Sequence, residues 1–183
     1  MKKHLLFLSV FFVTLFAQAQ PKSAKLDKSP LDVAYYPVNF AHDRKAGDEA
    51  IVKVYYSRPF KKDREVFGNL ISYGKVWRVG ANEAAEIKFF KDVKIGGKTL
   101  KAGTYSLFAI PEKDKWTIIF STDLDYWGAY RYKEENDVLR AEAETMENSS
   151  SLENFTIAFE KEGEGAVMYF GWDKTLAKLP IEF

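Results

Sequence analysis

The feature that most strongly constrains the fold of this chain is a set of short runs in which apolar and polar residues alternate. The period of two recurs in four runs, at residues 52–56, 85–89, 116–120 and 155–159. Successive side chains of a β-strand point to opposite faces of a sheet, so each run has one apolar face to bury. We therefore expect strands, and in the last run we expect Phe155, Ile157 and Phe159 to be buried while Glu160 faces water.

Turn residues join these runs into hairpins. The three predicted hairpins join residues 91–95 with 98–100, 103–110 with 115–121, and 154–160 with 166–170. In the first, Gly96 and Gly97 tolerate the positive φ values of a two-residue turn. A last segment, residues 174–181, is expected to close a sheet edge, because Pro180 near its end discourages another strand from adding there.

Residues 137–146 fit two structures. Their Ala, Glu, Leu and Arg content favours a helix, whereas Leu139, Ala141 and Ala143 alternate with charged residues. We predict a strand, because the segments on either side are predicted strands. The chain as a whole is then predicted to be all-β, with eight or nine strands in an antiparallel β-sandwich, jelly-roll-like or immunoglobulin-like, that carries one long loop insertion.

The N-terminus has the features of an export signal. Lys2 and Lys3 give a basic start, and the apolar run at residues 5–16 is too short to span a bilayer core of ~30 Å. Small residues at the signal-peptidase positions predict cleavage after Ala19. We expect a flexible lead-in over residues 20–30 and a single exported domain over residues 31–183, periplasmic or secreted. The alternative is a buried or membrane-anchoring N-terminal helix.

Composition argues against several function classes. The chain has no Cys, which excludes disulfides, thiolate nucleophiles, Cys-based metal sites and lipoprotein acylation. After cleavage His42 is the single His, so we expect no transition metal and no cofactor. A net charge of +1 gives no basic footprint for nucleic acid. No other apolar run reaches membrane-spanning length, so we expect no transmembrane segment in the mature chain.

The long loop insertion, residues 58–83, carries the first candidate ligand contacts. Loops longer than about 15 residues are uncommon in compact domains unless they cover or bind something. Guanidinium, amide and carboxylate groups make directed hydrogen bonds, and a Trp ring offers a stacking face. Alternatively, Arg beside Trp holds the loop down by stacking, and Asn satisfies the backbone of a turn. The candidates are Arg58, Trp77, Arg78, Asn82 and Glu83.

Residues 123–132 form a second cluster, in which four of seven consecutive residues from 126 to 132 are aromatic. Trp127 and Tyr130 are its candidate ligand contacts, since aromatic faces flanked by carboxylates suit sugars. The alternative is an aromatic lid that completes the core. Asp123 and Asp125 have the Asp-x-Asp spacing of calcium sites, but Trp127 stands where a third oxygen ligand is needed.

Several of these motifs resemble a known family. The motif Trp-Arg-x-Gly-Ala-Asn-Glu occupies residues 77–83, Ala-Gly-Thr-Tyr-Ser-Leu-Phe occupies 102–108, and Trp-Gly-Ala-Tyr occupies 127–130. In these motifs and their order the chain, from about Leu31 to its end, resembles the exported bacterial proteins grouped as domain of unknown function 2911. The resemblance implies an exported all-β domain and supports a strand at residues 137–146. It implies no activity, cofactor or catalytic residue.

Three functions remain open. We favour a non-enzymatic binding module for a small polar ligand, neutral or anionic, such as a glycan fragment. The alternative enzyme is a glycoside hydrolase in which Glu83 pairs with Asp123 or Asp125, because such enzymes hold two carboxyl groups ~5 to 9 Å apart. The third is a structural or interaction partner of cell-envelope proteins. Serine-histidine chemistry is disfavoured, because the sequence has no Gly-x-Ser-x-Gly motif.

Overall fold

The computed structural model of the protein describes residues 23–183. The predicted signal peptide lies outside these described residues, together with the first part of the lead-in. Within them the protein is almost entirely β, as predicted, with one short α-helix, α1 (Phe40–Asp43), and one 3₁₀ turn at Glu134–Asn136. No helix in this part of the chain is long and apolar enough to cross a membrane. The strands are β1 (Leu31–Tyr36), β2 (Val52–Ser57), β3 (Ala85–Phe89), β4 (Val93–Ile95), β5 (Lys98–Leu100), β6 (Gly103–Pro111), β7 (Lys115–Ser121), β8 (Asp137–Glu162) and β9 (Gly165–Ile181).

Seven strands form one sheet in the order β1-β2-β3-β6-β7-β8-β9, and β4 and β5 form a separate hairpin. Every pairing between neighbouring strands is antiparallel. Strand β6 lies at the centre of the sheet, and it buries Leu107 on one face and Phe108 on the other. A strand buried on both faces carries apolar residues at consecutive positions, which explains why its sequence lacks strict alternation.

The β8–β9 hairpin turns the sheet back on itself. The first part of β8 pairs with β7, whereas the remainder pairs with β9 as far as Glu162. The register shifts between Glu147 and Thr156, and bulges of this kind bend a strand. The Tyr56 hydroxyl of β2 donates a hydrogen bond of 3.2 Å to the Ile157 carbonyl, which holds the far half of β8 over β2. The antiparallel sheet therefore encloses its own core as a sandwich does.

Two strands are longer and more continuous than the sequence-based prediction. Residues 137–146 and 154–160, predicted as separate segments, both belong to β8. Residues 166–170 and 174–181 were expected as two separate segments, but both belong to β9. The chain continues as a strand because β9 follows β8 through its bend. Asp173 adopts a positive φ of 53° there and pairs with Leu152, between the two register shifts of β8. The predicted strand at residues 137–146 is confirmed as the start of β8.

Aromatic side chains fill the space between the layers. Trp77 lies 5.9 Å from Trp116 and 6.2 Å from Trp172 between ring centroids, and Phe67 and Phe155 pack around them. Burying each large apolar side chain stabilises the fold by about 1.5–3 kcal/mol. As predicted, the core includes the inward face of the later part of β8, with Phe155, Ile157 and Phe159 buried and Glu160 exposed.

The long loop insertion supplies part of this core. Its residues Val66, Phe67, Trp77 and Val79 are buried in the main cluster. Trp77 also exchanges two backbone hydrogen bonds with Ala109 of β6, at 2.7 and 2.8 Å. The loop is thus hydrogen-bonded at Trp77 to the central strand of the sheet. This attachment limits where its two ends, near residues 58 and 83, lie on the surface.

Candidate functional site

The end of the long loop is joined to the aromatic segment that follows β7. The Ala84 amide donates to the Tyr126 carbonyl at 2.8 Å, and the Gly128 amide donates to the Asn82 carbonyl at 2.8 Å. These bonds flank an antiparallel bridge between Glu83 and Trp127. Two segments that are distant in sequence therefore present neighbouring side chains on one surface.

Trp127 and Tyr130 form an exposed aromatic pair, here called the aromatic platform. Trp127 is 63% exposed and Tyr130 is 81% exposed. Their ring centroids lie 5.9 Å apart, and the planes are inclined by 20°, so the rings are stacked. Large exposed aromatic surfaces are typical of interaction sites, because rings left in solvent contribute little to the stability of the fold.

Gly128 makes this stacking possible. Its φ is 76°, a backbone conformation that disfavours residues with a Cβ atom. A Cβ atom built on Gly128 would lie 2.6 Å from Cε2 of Tyr130, which is closer than real contacts allow. The Tyr130 ring therefore rests against the backbone at Gly128.

The other two aromatic residues of the segment hold it to the sheet. Tyr126 and Tyr132 lie 5.7 and 5.0 Å from Phe108 between ring centroids, on the outer face of β6. They cover a small second core that contains Phe108 and Ile119. Two of the four aromatic residues of the segment therefore complete a core, as the lid interpretation predicts, and the other two face solvent.

Polar contacts fix the tyrosine at the end of the segment. The Tyr132 hydroxyl donates to Oδ2 of Asp137 at 2.6 Å and accepts from Nη2 of Arg140 at 2.7 Å. Burial and the hydrogen bond to Asp137 raise the pKa of Tyr132 to about 12. Arg140 also donates to Asp137 at 2.7 Å, which completes the network. The end of the aromatic segment is thus hydrogen-bonded to β8.

A cavity of about 720 Å³ opens beside Trp127. Asn82 and Tyr55 contribute polar groups to its wall, and Oε1 of Glu86 accepts a hydrogen bond of 3.1 Å from the Asp125 amide. We call it the acidic cavity, because its charged lining residues are all carboxylates: Asp27, Glu83, Glu86 and Asp125. Such a lining attracts hydroxyl donors and repels anions.

The remaining sequence-based candidates lie elsewhere. Arg58 donates to Asp32 at 2.9 Å, to the Phe155 carbonyl at 3.2 Å and to the Thr156 hydroxyl at 3.1 Å, so it ties the end of β2 to β1 and β8. Trp77 is 4% exposed, and its indole N–H donates to the Gly80 carbonyl at 3.1 Å. Arg78 lines a separate, smaller cleft.

The structure thus brings Asn82, Glu83, Trp127 and Tyr130 to one surface, and it places Arg58 and Trp77 in supporting contacts. Sequence reasoning missed Tyr55 and Glu86, which line the same acidic cavity. The alternation of apolar and polar residues places both side chains on the outward face of their strands. This pattern could have identified them as candidates. Their proximity follows from the register between β2 and β3, in which the two residues are partners.

The single His of the predicted mature chain lies away from this surface. His42 is on α1 and its side chain is largely exposed, with Nδ1 2.6 Å from a carboxylate oxygen of Asp43. Among residues 23–183 no group of three or more His, Cys, Asp or Glu side chains is arranged to hold a metal ion. The side chains at the surface described above include aromatic rings, an amide and carboxylates.

Comparisons with known proteins identify the family. Residues 39–181 match the family described as Protein of unknown function (DUF2911), and this range contains the aromatic platform and most of the acidic cavity. No curated protein and no solved structure matches the chain. Because the match covers most of the sequence, the chain belongs to this family of proteins of unknown function.

Proposed function

We propose that the protein is an exported binding protein for a small, neutral, hydroxyl-rich ligand such as a glycan fragment. The observation that carries the proposal is the aromatic platform of Trp127 and Tyr130, exposed beside a cavity lined by carboxylates. Export rests on the N-terminal sequence, residues 1–19. The intact mass of protein from the envelope or secreted fraction tests it, because a mass that includes residues 1–19 would contradict cleavage.

The two parts of the surface suit the two sides of a sugar. An aromatic face packs against the apolar C–H face of a pyranose ring, while carboxylate oxygens accept hydrogen bonds from its hydroxyl groups. Glu83 is adjacent to both parts, because its backbone bridges Trp127 and its side chain lines the acidic cavity. Gly128 holds the platform in place beforehand, so little conformational entropy is lost when the ligand binds.

A hydrolase is the second candidate, because Glu83 and Asp125 line the same cavity. Asp123 is less suited to act with Glu83, since its Oδ2 accepts hydrogen bonds from Tyr126 at 2.9 Å and Asn136 at 3.0 Å. Glycoside hydrolysis needs one carboxyl group to protonate the leaving oxygen and a second to act as nucleophile or base. Release of reducing sugar from a bound oligosaccharide, abolished by Glu83→Gln and by Asp125→Asn, would establish it.

Binding is tested first with a panel of neutral oligosaccharides, scored by intrinsic tryptophan fluorescence, because the exposed Trp127 responds to a ligand that covers it. Hits are then measured by calorimetry on Trp127→Ala and Glu83→Gln. We expect each variant to bind about tenfold more weakly, since losing a stacking or hydrogen-bond contact removes about 1.4 kcal/mol. Both side chains are exposed, so the melting temperature should stay near that of the wild type.

Matched controls lie on other surfaces. Phe90→Ala removes an aromatic ring that is 38% exposed and does not line the acidic cavity. Glu164→Gln removes an exposed carboxylate from the β8–β9 turn. Both should bind like the wild type. The proposal fails if no oligosaccharide binds, or if the Trp127 and Glu83 variants bind as tightly as these controls.

A further inference from the structure

We propose a second binding site, for an oxyanionic group such as phosphate or sulfate, in the cleft that Arg78 lines. This cleft, here called the Arg78 cleft, has a volume of about 280 Å³ and lies between the long loop insertion and the lead-in segment. Its apolar wall includes Phe60, Ile71 and Trp172. Its charged lining residues are all cationic, and they are Lys28, Lys62, Arg64 and Arg78.

The Arg78 side chain has a buried nitrogen without a hydrogen-bond partner and a charge without an ion-pair partner among the described residues. Its Nε atom is buried and makes no hydrogen bond with any described residue. No carboxylate of residues 23–183 lies within ion-pair distance of its guanidinium group. Burial lowers the pKa of Arg78, because it disfavours the charged form. An anion in the cleft would supply the missing counter-charge.

The neighbouring cations are likewise uncompensated. Lys61 lies just outside the cleft lining and has a partner, with Nζ 3.5 Å from Oδ1 of Asp173. Lys62, Arg64 and Lys28 have no ion pair with any described carboxylate. Like charges that converge on one cleft repel one another, and a bound oxyanion relieves that repulsion.

Hydrogen bonds to the local backbone hold the Arg64 side chain, and the backbone at Lys62 is held as well. Nε of Arg64 donates to the Lys61 carbonyl at 3.0 Å, and Nη2 donates to the Phe60 carbonyl. These bonds hold the guanidinium group and leave Nη1 available to a ligand. Lys62 has a positive φ of 54°, and its amide donates to Oε1 of Glu153 at 2.8 Å. The Glu153 carboxylate accepts this backbone hydrogen bond, and among residues 23–183 it forms no ion pair with Lys62.

The Arg78 cleft and the acidic cavity have opposite charge and share a wall. Ser29 lines both of them. An anion is attracted to the Arg78 cleft and repelled by the carboxylates of the acidic cavity, so the two sites select different groups. A ligand that carries both a sugar ring and an oxyanion could reach both.

The test uses inorganic phosphate as the probe, followed by ³¹P NMR and calorimetry at constant ionic strength with chloride as the reference anion. We expect saturable binding to the wild-type protein and at least tenfold weaker binding to Arg78→Gln. Lys62→Gln is the second variant, because Lys62 is exposed and its loss should not disturb folding. Arg44→Gln, which removes an exposed guanidinium on α1's C-terminal side, is the matched control and should bind phosphate like the wild type.

The outcomes separate this site from the sugar site. Trp127→Ala should leave phosphate binding unchanged even though it weakens oligosaccharide binding. Glucose 6-phosphate binding more tightly than phosphate would identify a phosphorylated sugar as the source of the anion, and equal binding would identify the free ion. The proposal is overturned if phosphate does not bind, or if Arg78→Gln and Lys62→Gln both bind it as tightly as Arg44→Gln.

Discussion

Three of the four tryptophans lie together in the core, and the fourth lies on the surface. Trp77, Trp116 and Trp172 are at most 4% exposed, whereas Trp127 is 63% exposed. The buried rings contact one another and replace water with apolar neighbours, which stabilises the fold. Among residues 23–183, the exposed ring stacks only on Tyr130. The same residue type therefore serves stability in one region and, in our proposal, recognition in the other.

The two regions also differ in what holds them. The core rings are positioned by packing from every side, since they come from the long loop, β7 and β9. The aromatic platform is positioned by backbone hydrogen bonds and by the absence of a side chain at Gly128. Substitutions should consequently have different effects in the two regions.

The largest effect is expected from Trp116→Ala. The ring is fully buried on β7 and contacts Phe67 and Trp77. Removing a buried aromatic ring leaves a cavity, so the free energy of unfolding should fall by about 3–5 kcal/mol. Trp127→Ala should change it by less than about 0.5 kcal/mol, as is usual for surface positions. Chemical denaturation of both variants checks this contrast, which equal losses would refute.

An intermediate effect is expected from Gly128→Ala. The positive φ of 76° alone should destabilise the variant by about 1–2 kcal/mol. The added Cβ would also displace the Tyr130 ring, so oligosaccharide binding should weaken. Gly97→Ala is the matched control, because Gly97 has a φ of 74° and nothing within 4 Å of a built Cβ. It should lose similar stability without losing affinity, and a parallel loss of affinity would argue against a preformed platform.

A smaller loss of stability than in Gly128→Ala is expected from Tyr132→Phe, which removes one hydroxyl that is hydrogen-bonded to β8. At neutral pH the loss should be about 0.5–1.5 kcal/mol, for one hydrogen bond. The pKa of Tyr132 is raised from 10.0 to about 12 in the folded protein, so folding favours the neutral phenol. Its contribution is complete below pH 10 and is lost as the pH rises through 12.

The variant should therefore show a smaller fall in stability over this alkaline range than the wild type, which denaturation at a series of pH values measures. Tyr35→Phe is the control, because the Tyr35 hydroxyl makes no hydrogen bond with a described residue. If the free energy of unfolding of Tyr132→Phe falls over this pH range by as much as that of the wild type, ionisation of Tyr132 is not the cause of the fall.

Much of the fold could be predicted from local sequence patterns. Alternation identified the inward residues of β8, such as Ile157, and paired glycines located the β4–β5 turn. Both signals are local, because the pleat of a strand and the φ values of a turn depend on neighbouring residues. The continuous β9 was missed because its length depends on pairing with a bulged partner, and periodicity does not encode pairing.

The candidate site could be predicted only in part, because local sequence patterns do not encode contacts between distant segments. Composition identified the segment that contains Tyr126, Trp127, Tyr130 and Tyr132, but not which rings face solvent. That division depends on the outer face of β6, where Phe108 takes Tyr126 and Tyr132 as its cover. Residue type alone does not predict which residues an aromatic ring contacts in the folded protein.

Most of the strand segments, their apolar faces, the hairpin turns and the residue types available for recognition follow from the sequence, because each depends on short-range geometry and composition. Tertiary structure alone decided that Glu83 and Trp127 are neighbours, that Trp77 is buried, and that Arg78 opens onto a cleft of opposite charge to the acidic cavity. These outcomes depend on strand register and on how the sheet curls. Both are set by packing between residues that are far apart along the chain.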